Sequence, residues 1–341
     1  MGRHLKARRS RRAVLLAALL GVAAGGVILH DREPAPAVRV TPETTGIAYP
    51  GLYVDPNGAA AAYVRALERS GRKAEAAILR RISDRPAATW FTDAAPGYPA
   101  RARRLVTAAS AAKRLPVLAL YFIPNRDCGS HSKGGATSAH AYRLWVSALA
   151  RAIRGHRALI ILEPDAVAQA VGGGCLTARA ARQRYALLAA AVTTLQAQPG
   201  VSVYLDAGNP TWVPAARMAP ALRLAGAIKA RGFALNVANF ETTADNLRYG
   251  RQLSKLLDGR HFVIDTSRNG NGPARRGPGD RHWCNPPGRR LGVPPTLRTG
   301  RPLVDAYLWV KRPGESDGAC GRGAPPAGQW YPAYARSLAG S

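Results

Sequence analysis

The sequence predicts an α/β fold, a (β/α) barrel of about seven parallel strands, on three observations. Short, β-prone apolar runs alternate with longer helical patterns, as in parallel strands joined by crossover helices. The runs are apolar almost throughout, so both faces of the sheet are covered. Polar residues follow all seven runs: Thr92, Asp127, Asp165, Asp206, Asn239, Asp265 and Lys311. Functional side chains gather at the carboxyl ends of parallel strands. A doubly wound sheet also satisfies the first two observations, but a polar rim at every strand end favours the barrel.

The elements follow in order. Residues 31–50, rich in Pro, Thr and charge, read as a linker, and the folded part begins near Tyr53. A helix over 58–70 is expected from its Ala-rich pattern, with Asn57 as N-cap and Gly71 at its stop. The first strand, 88–91, precedes a helix over 100–114. The run Val117-Leu118-Ala119-Leu120-Tyr121-Phe122-Ile123 is the second strand, and a helix over 140–154 ends before Gly155. The third strand, 158–162, leads to a helix over 178–196 capped by Thr177. Strands over 201–205, 233–237, 262–264 and 305–310 alternate with helices over 214–230, 244–257 and 330–338.

Charge narrows the function less than its size suggests. The chain has 49 Lys and Arg against 20 Asp and Glu, a net charge of +29. The arginines are scattered along helices, and no nucleic-acid-binding motif accompanies them, so no nucleic acid partner is expected. No Cys-x-x-Cys or His/Cys cluster marks a metal, and no glycine fingerprint marks a dinucleotide, so neither metal nor cofactor is expected.

The first 30 residues read as a signal peptide or membrane anchor. Arg3, Lys6, Arg8, Arg9, Arg11 and Arg12 precede an uncharged run from Ala13 to Leu29. Ser10-Arg11-Arg12-Ala13-Val14-Leu15 also resembles a twin-arginine export signal. Positive charge before the run keeps that end cytoplasmic, so the rest of the chain is secreted or anchored on the outer face. Four cysteines, Cys128, Cys175, Cys284 and Cys320, fit an oxidising compartment and allow three pairings.

The scarce acids carry the functional signal. Leu162-Glu163-Pro164-Asp165 places two carboxylates at the end of a buried strand, with Pro164 opposing helix at Glu163. Burial raises a carboxyl pKa, which suits a general acid; a helix-capping Asp is the structural alternative. Arg126-Asp127-Cys128-Gly129 opens a glycine-bearing loop that contains His131 and Lys133. Lys311 to Gly318 brings Glu315 and Asp317 to a second turn, with Lys311 and Glu315 suited to sugar hydroxyls. Trp90, Trp212 and Trp283 fall at strand ends or in loops, where flat aromatic faces suit sugar rings; Trp145 and Trp330 fit helical core positions. Carboxylates with aromatic platforms suggest glycoside hydrolysis. A Ser–His–Asp hydrolase is disfavoured, because no Gly-x-Ser-x-Gly elbow is present.

Several ordered segments together resemble glycoside hydrolase family 6, the inverting cellulases. They include Tyr53-Val54-Asp55-Pro56-Asn57, Asn125-Arg126-Asp127-Cys128-Gly129, Leu162-Glu163-Pro164-Asp165 and Leu205-Asp206-Ala207-Gly208. They continue through Asn236-Val237-Ala238-Asn239, Ser267-Arg268-Asn269-Gly270-Asn271-Gly272, Trp283-Cys284-Asn285-Pro286 and Lys311-Arg312-Pro313-Gly314-Glu315-Ser316-Asp317-Gly318. The resemblance runs from about Tyr53 to about Leu338 and is closest to short-looped bacterial endoglucanases. It implies a distorted, TIM-like barrel of seven strands within a catalytic domain spanning 51–341. It also implies that Asp165 protonates the glycosidic oxygen and that Asp127 raises its pKa. Asp317 occupies the proposed general-base position, Tyr121 presses on the distorted sugar, and Asp206 supports the site. Trp90, Thr92, Trp212, Asn239, Trp283, Lys311 and Glu315 would line sugar subsites, and the disulfides would be Cys128–Cys175 and Cys284–Cys320.

The implied activity is a monomeric endo-β-1,4-glucanase acting on β-1,4-glucan chains with inversion. Membrane contact is expected only through the N-terminal segment. An exo-acting cellobiohydrolase and a catalytically impaired glycan-binding protein are the alternatives. Two departures bear on them: Asn209 stands where many members have His, and Lys133 where some have a water-holding Ser. Close cysteine spacing leaves little room for long roofing loops, which favours an open cleft and endo action.

Overall fold

The computed structural model describes residues 50–277, 282–321 and 323–340. The expected export segment, and the linker up to residue 49, lie outside the described residues. Among the described residues no helix is long and apolar enough to cross a membrane.

Seven strands form one sheet in chain order: β1 (Thr89–Phe91), β2 (Val117–Leu120), β3 (Ala158–Leu162), β4 (Val201–Asp206), β5 (Gly232–Leu235), β6 (His261–Asp265) and β7 (Val304–Leu308). Every neighbouring pair is parallel. The helices are α1 (Ala59–Arg69), α2 (Lys73–Ser83), α3 (Tyr98–Ala111), α4 (Ala139–Ala152), α5 (Ala166–Gly172), α6 (Ala178–Gln196), α7 (Ala215–Leu224), α8 (Thr243–Leu256) and α9 (Pro332–Ala339). The sheet curls into the expected distorted barrel. No ladder joins β7 to β1; the Ala88 amide donates to the Trp309 carbonyl at 2.9 Å, and the Trp90 indole donates to Val310 at 2.8 Å.

Strand alternation sorts the core into two layers. Val117, Ala119, Leu159, Ile161, Tyr204, Ala234, Val263, Ala306 and Leu308 fill the barrel interior. Leu118, Leu120, Ile160, Leu162, Val203, Leu205, Phe233 and Ile264 instead pack under the helices, with Trp145, Val146 and Leu188. The same parity carries Tyr121, Asp206 and Asp265, each two residues beyond an interior side chain, toward the barrel axis at the carboxyl end.

Several expected boundaries shift. The second strand stops at Leu120; just beyond it the amides of Phe122 and Ile123 donate to the Glu163 carboxylate, and positive φ at Asn125, Asp127 and Cys128 then turns the chain into a loop. Gly135 returns that loop at φ +94°, where a Cβ would stand 1.9 Å from the Ile123 carbonyl oxygen. Thr177 caps α6 as expected, accepting from the Ala180 amide at 3.2 Å. Asn57 does not cap α1; Gly58 holds that position, without a side-chain cap. Trp330 lies before α9 and pairs with Glu315 in an isolated bridge, while Trp145 is buried as expected. Both disulfides implied by the resemblance, Cys128–Cys175 and Cys284–Cys320, are formed.

Candidate active site

A cleft of about 1040 Å³ crosses the carboxyl ends of the strands. Trp90, Thr92, Tyr121, Asp127, Asp165, Trp212, Asn239, Trp283, Lys311, Glu315 and Asp317 all line it. Asp206 does not; it is fully buried beneath. The loop residues Ser130, His131, Ser132 and Lys133 also reach the cleft, as does Asn209.

Asp165 occupies the N-cap position of α5 at φ +69° but makes no side-chain capping bond. The capping alternative therefore fails, and the carboxyl remains available to the cleft. Its amide instead donates to Asp206 Oδ2 at 2.9 Å, and the Gly208 amide donates to the same oxygen at 3.1 Å. Burial pushes the Asp165 carboxyl well above the ordinary carboxylate range, and the charges of Asp206 and Asp127 push it further. The Tyr121 hydroxyl lies within hydrogen-bonding reach and opposes them. Burial also raises Asp206, against its two amide donors. Those donors favour the charged form on Asp206, so the proton of this coupled pair resides on Asp165.

Asp127 is raised by burial, while the Ser132 amide at 2.7 Å, His131 and Arg126 pull it the other way. Arg126 fixes the surrounding loop: Nη1 donates to the Thr92 and Tyr121 carbonyls at 2.7 and 2.8 Å, and Nε donates to Ser132 at 2.7 Å. Its guanidinium also sits 4.9 Å from the Tyr121 ring centroid. His131 and Trp283 meet edge to face at 5.7 Å between ring centroids.

Asp317 has the opposite electrostatics. Burial alone would raise it, but Arg268 and Lys311 hold it below the ordinary range. Arg268 Nη1 donates to Oδ2 at 2.7 Å, Lys311 Nζ stands 3.2 Å from Oδ1, and the Asn285 amide donates to Oδ2 at 2.9 Å. Burial lowers the Lys311 ammonium, against the charge of Asp317. Glu315 pairs with Arg312 at 2.9 Å. Sequence reasoning missed Arg268 and Asn285 as partners of Asp317. Their only advance signal was their place inside two of the segments that carry the family resemblance, Ser267 to Gly272 and Trp283 to Pro286.

Glu163 and Asp265 are scaffolding. The Glu163 carboxylate accepts the Phe122 amide at 3.0 Å and the Ile123 amide at 3.0 Å, tying the end of β2 to the end of β3. Asp265 accepts amides of Ala238, Ser267 and Lys311, at 3.0, 2.9 and 2.9 Å. Burial pushes Glu163 from 4.5 up to about 7. An acid raised in the folded state binds a proton that the unfolded chain has released. Its contribution to stability is present below the ordinary pKa and lost as pH rises through the folded one. Glu163, Asp206 and Asp165 all act in this direction. The melting temperature is therefore expected to fall between about pH 5 and about pH 8. Glu163→Gln should flatten that slope; a slope unchanged in the variant would refute its share.

The comparisons agree with this geometry. The sequence model described as "Glycosyl hydrolases family 6" matches residues 48–341. The chain is 42% identical over 296 residues to Endoglucanase 1 of Streptomyces halstedii, covering 84% of this chain and 88% of that protein. It is 43% identical over 291 residues to Endoglucanase A of Cellulomonas fimi, covering 85% of this chain and 61% of that protein. The fold matches the endoglucanase Cel6 of Mycobacterium tuberculosis, solved with a thio-linked cellobioside ligand, with TM-score 0.81 and 45% identity over 86% of this chain and 98% of that one. It also matches endoglucanase Cel6B of Humicola insolens, with TM-score 0.70 and 27% identity over 81% of this chain and 92% of that one. Seven parallel strands, a cleft at their carboxyl ends and a match over residues 48–341 agree: the chain belongs to glycosyl hydrolase family 6.

Proposed function

We propose that the protein is an exported endo-β-1,4-glucanase that hydrolyses internal bonds of cellulose or a related β-glucan with inversion. The observation that carries this reading is Asp165. It is a carboxyl raised by burial and by two neighbouring carboxylates, at the floor of a tryptophan-lined cleft. A group that keeps its proton near neutral pH can deliver it to a leaving glycosidic oxygen.

In this reading Trp90, Trp212 and Trp283 hold glucose rings, Thr92, Asn239, Lys311 and Glu315 meet sugar hydroxyls, and Tyr121 braces the ring at the cleavage point. Asp165 protonates the leaving oxygen while water attacks the anomeric carbon from the other side and releases its proton to the water filling the cleft. Asp206 fixes the Asp165 backbone, and Asp127 supplies negative charge that keeps Asp165 protonated. Asp317 is held as a carboxylate by three donors, so it offers stable negative charge but is a weak proton acceptor. Ser132 or Ser130, both in the cleft lining, substitutes for the water-holding Ser that Lys133 replaces. The disulfides fit an oxidising exterior.

Viscometry of carboxymethyl-cellulose separates the cutting modes. An endo enzyme lowers viscosity quickly while few reducing ends appear; parallel rise of reducing ends with slow viscosity loss would indicate the exo alternative. NMR of the first anomer formed should show the α product, and a β product would refute inversion. Binding of cello-oligosaccharides with no turnover would leave only the impaired binding protein.

A further inference from the structure

The excess of positive charge is placed unevenly along the barrel axis. All strands run the same way, so the turns entering them share one end and the residues leaving them share the other. The acids of the cleft and its floor lie at the carboxyl end. At the amino end, Arg85 precedes β1, Lys113 and Arg114 precede β2, Arg154 precedes β3, Lys229 precedes β5 and Arg301 precedes β7; all six are exposed. The acids there offset little of this charge. Asp84 stands exposed beside Arg85 and offsets it; Asp258 is held by Arg223, and Asp305, at the start of β7, is held by Arg231 and His261. From Ala94 to Phe240 the only acids are Asp127, Glu163, Asp165 and Asp206, all at the cleft or beneath it. The outer surfaces of α3, α4, α6 and α7 thus carry no carboxylate at all.

The chain also enters the domain at this end. The Leu115 amide donates to the Gly51 carbonyl at 3.0 Å, and the Tyr53 amide donates to the Leu115 carbonyl at 2.9 Å. Leu115 directly follows Lys113 and Arg114 in the turn into β2. The described chain therefore starts beside this basic end.

We infer that the amino-end face is a docking surface for an anionic phospholipid bilayer, with the cleft turned away from it. The cations are spread over five separate turns around the end of the barrel, an arrangement that suits an extended planar partner better than a single chain in a groove. Attraction between exposed charges and a charged bilayer fades within a Debye length, about 8 Å at physiological salt, so the outermost turns dominate it. This inference does not depend on the proposed glucanase activity.

The test uses the portion 48–341, because a chain of which 98% is this matched domain folds as such in the mycobacterial structure. Its sedimentation with vesicles of phosphatidylglycerol and phosphatidylcholine is compared with vesicles of phosphatidylcholine alone. Binding is expected only with the anionic lipid and should be lost at about 1 M salt, where the Debye length is about 3 Å. The variant K113E/R114E/R154E should lose at least about tenfold in the partition coefficient. The control R143E/R179E/R182E changes the net charge equally, on helix faces away from that end, and should lose much less. Melting curves establish that both variants are folded; if the first is not, Lys113→Ala with Arg114→Ala replaces it and should still weaken binding. Absence of binding to anionic vesicles, or equal losses in the two variants, would overturn the inference. So would capture by DNA or polygalacturonate without capture by vesicles.

Discussion

Asp165→Asn is expected to lower turnover on soluble cellulose by roughly 10²- to 10⁴-fold, the range a positioned general acid supplies. The carboxamide has the same shape and cannot release a proton to the leaving oxygen. The backbone should not move, because the Asp165 amide that donates to Asp206 Oδ2 at 2.9 Å is unchanged. Substrate affinity rests on the tryptophans and hydroxyl-binding groups along the cleft, so KM should change much less than kcat. The leaving group makes the test specific. An aryl β-cellotrioside that releases an acidic phenol needs little protonation, and the variant should retain far more of its activity on it. Equal losses on both substrates would mean that Asp165 acts by some means other than acid catalysis, and near-full activity on cellulose would remove it from the chemistry.

The sequence made the rim of the barrel legible for a physical reason. A buried parallel strand has to be apolar, so a carboxylate at its end stands out against the run before it. Asp127, Asp165 and Asp206 were found that way, and alternation within the strand then fixes which of them points inward. Less legible was what a few residues of local pattern cannot encode. The helix α5 is a 7-residue piece that starts at once after Asp165, and α2 buries only Ala76, Leu79 and Ile82 along an otherwise charged stretch. Neither offers the sustained apolar periodicity that marks a long helix. The partners of Asp317 come from 49 and 32 residues away, on separate loops. Nothing in the local sequence around Asp317 distinguishes a neutralised carboxylate from a reactive one. That difference is set by long-range contacts, and it changes the role assigned to the residue.

Asp317→Ala is expected to destabilise the fold by about 3–5 kcal/mol, the range seen when one partner of a buried charge cluster is removed. Arg268 is fully buried and the Lys311 side chain is only 10% exposed, and both direct their charge at this carboxylate. Without it, two largely buried cations remain side by side in the wall of the cleft. Lys311 can lose its proton, and burial already lowers its pKa, but the Arg268 guanidinium cannot. Urea unfolding would measure the loss as a shifted midpoint; a midpoint equal to that of the unsubstituted protein would show that the cations do not depend on Asp317. The same cluster decides how an inactive variant must be interpreted, since lost activity could reflect lost structure rather than lost chemistry. The double variant Asp317→Ala/Lys311→Met removes one of the stranded cations and should regain part of the stability. If hydrolysis stays absent in that more stable protein while Lys311→Met alone retains it, the negative charge of Asp317 is needed for the reaction. If hydrolysis returns with stability, the carboxylate serves only to hold Arg268 and Lys311 in the wall of the cleft.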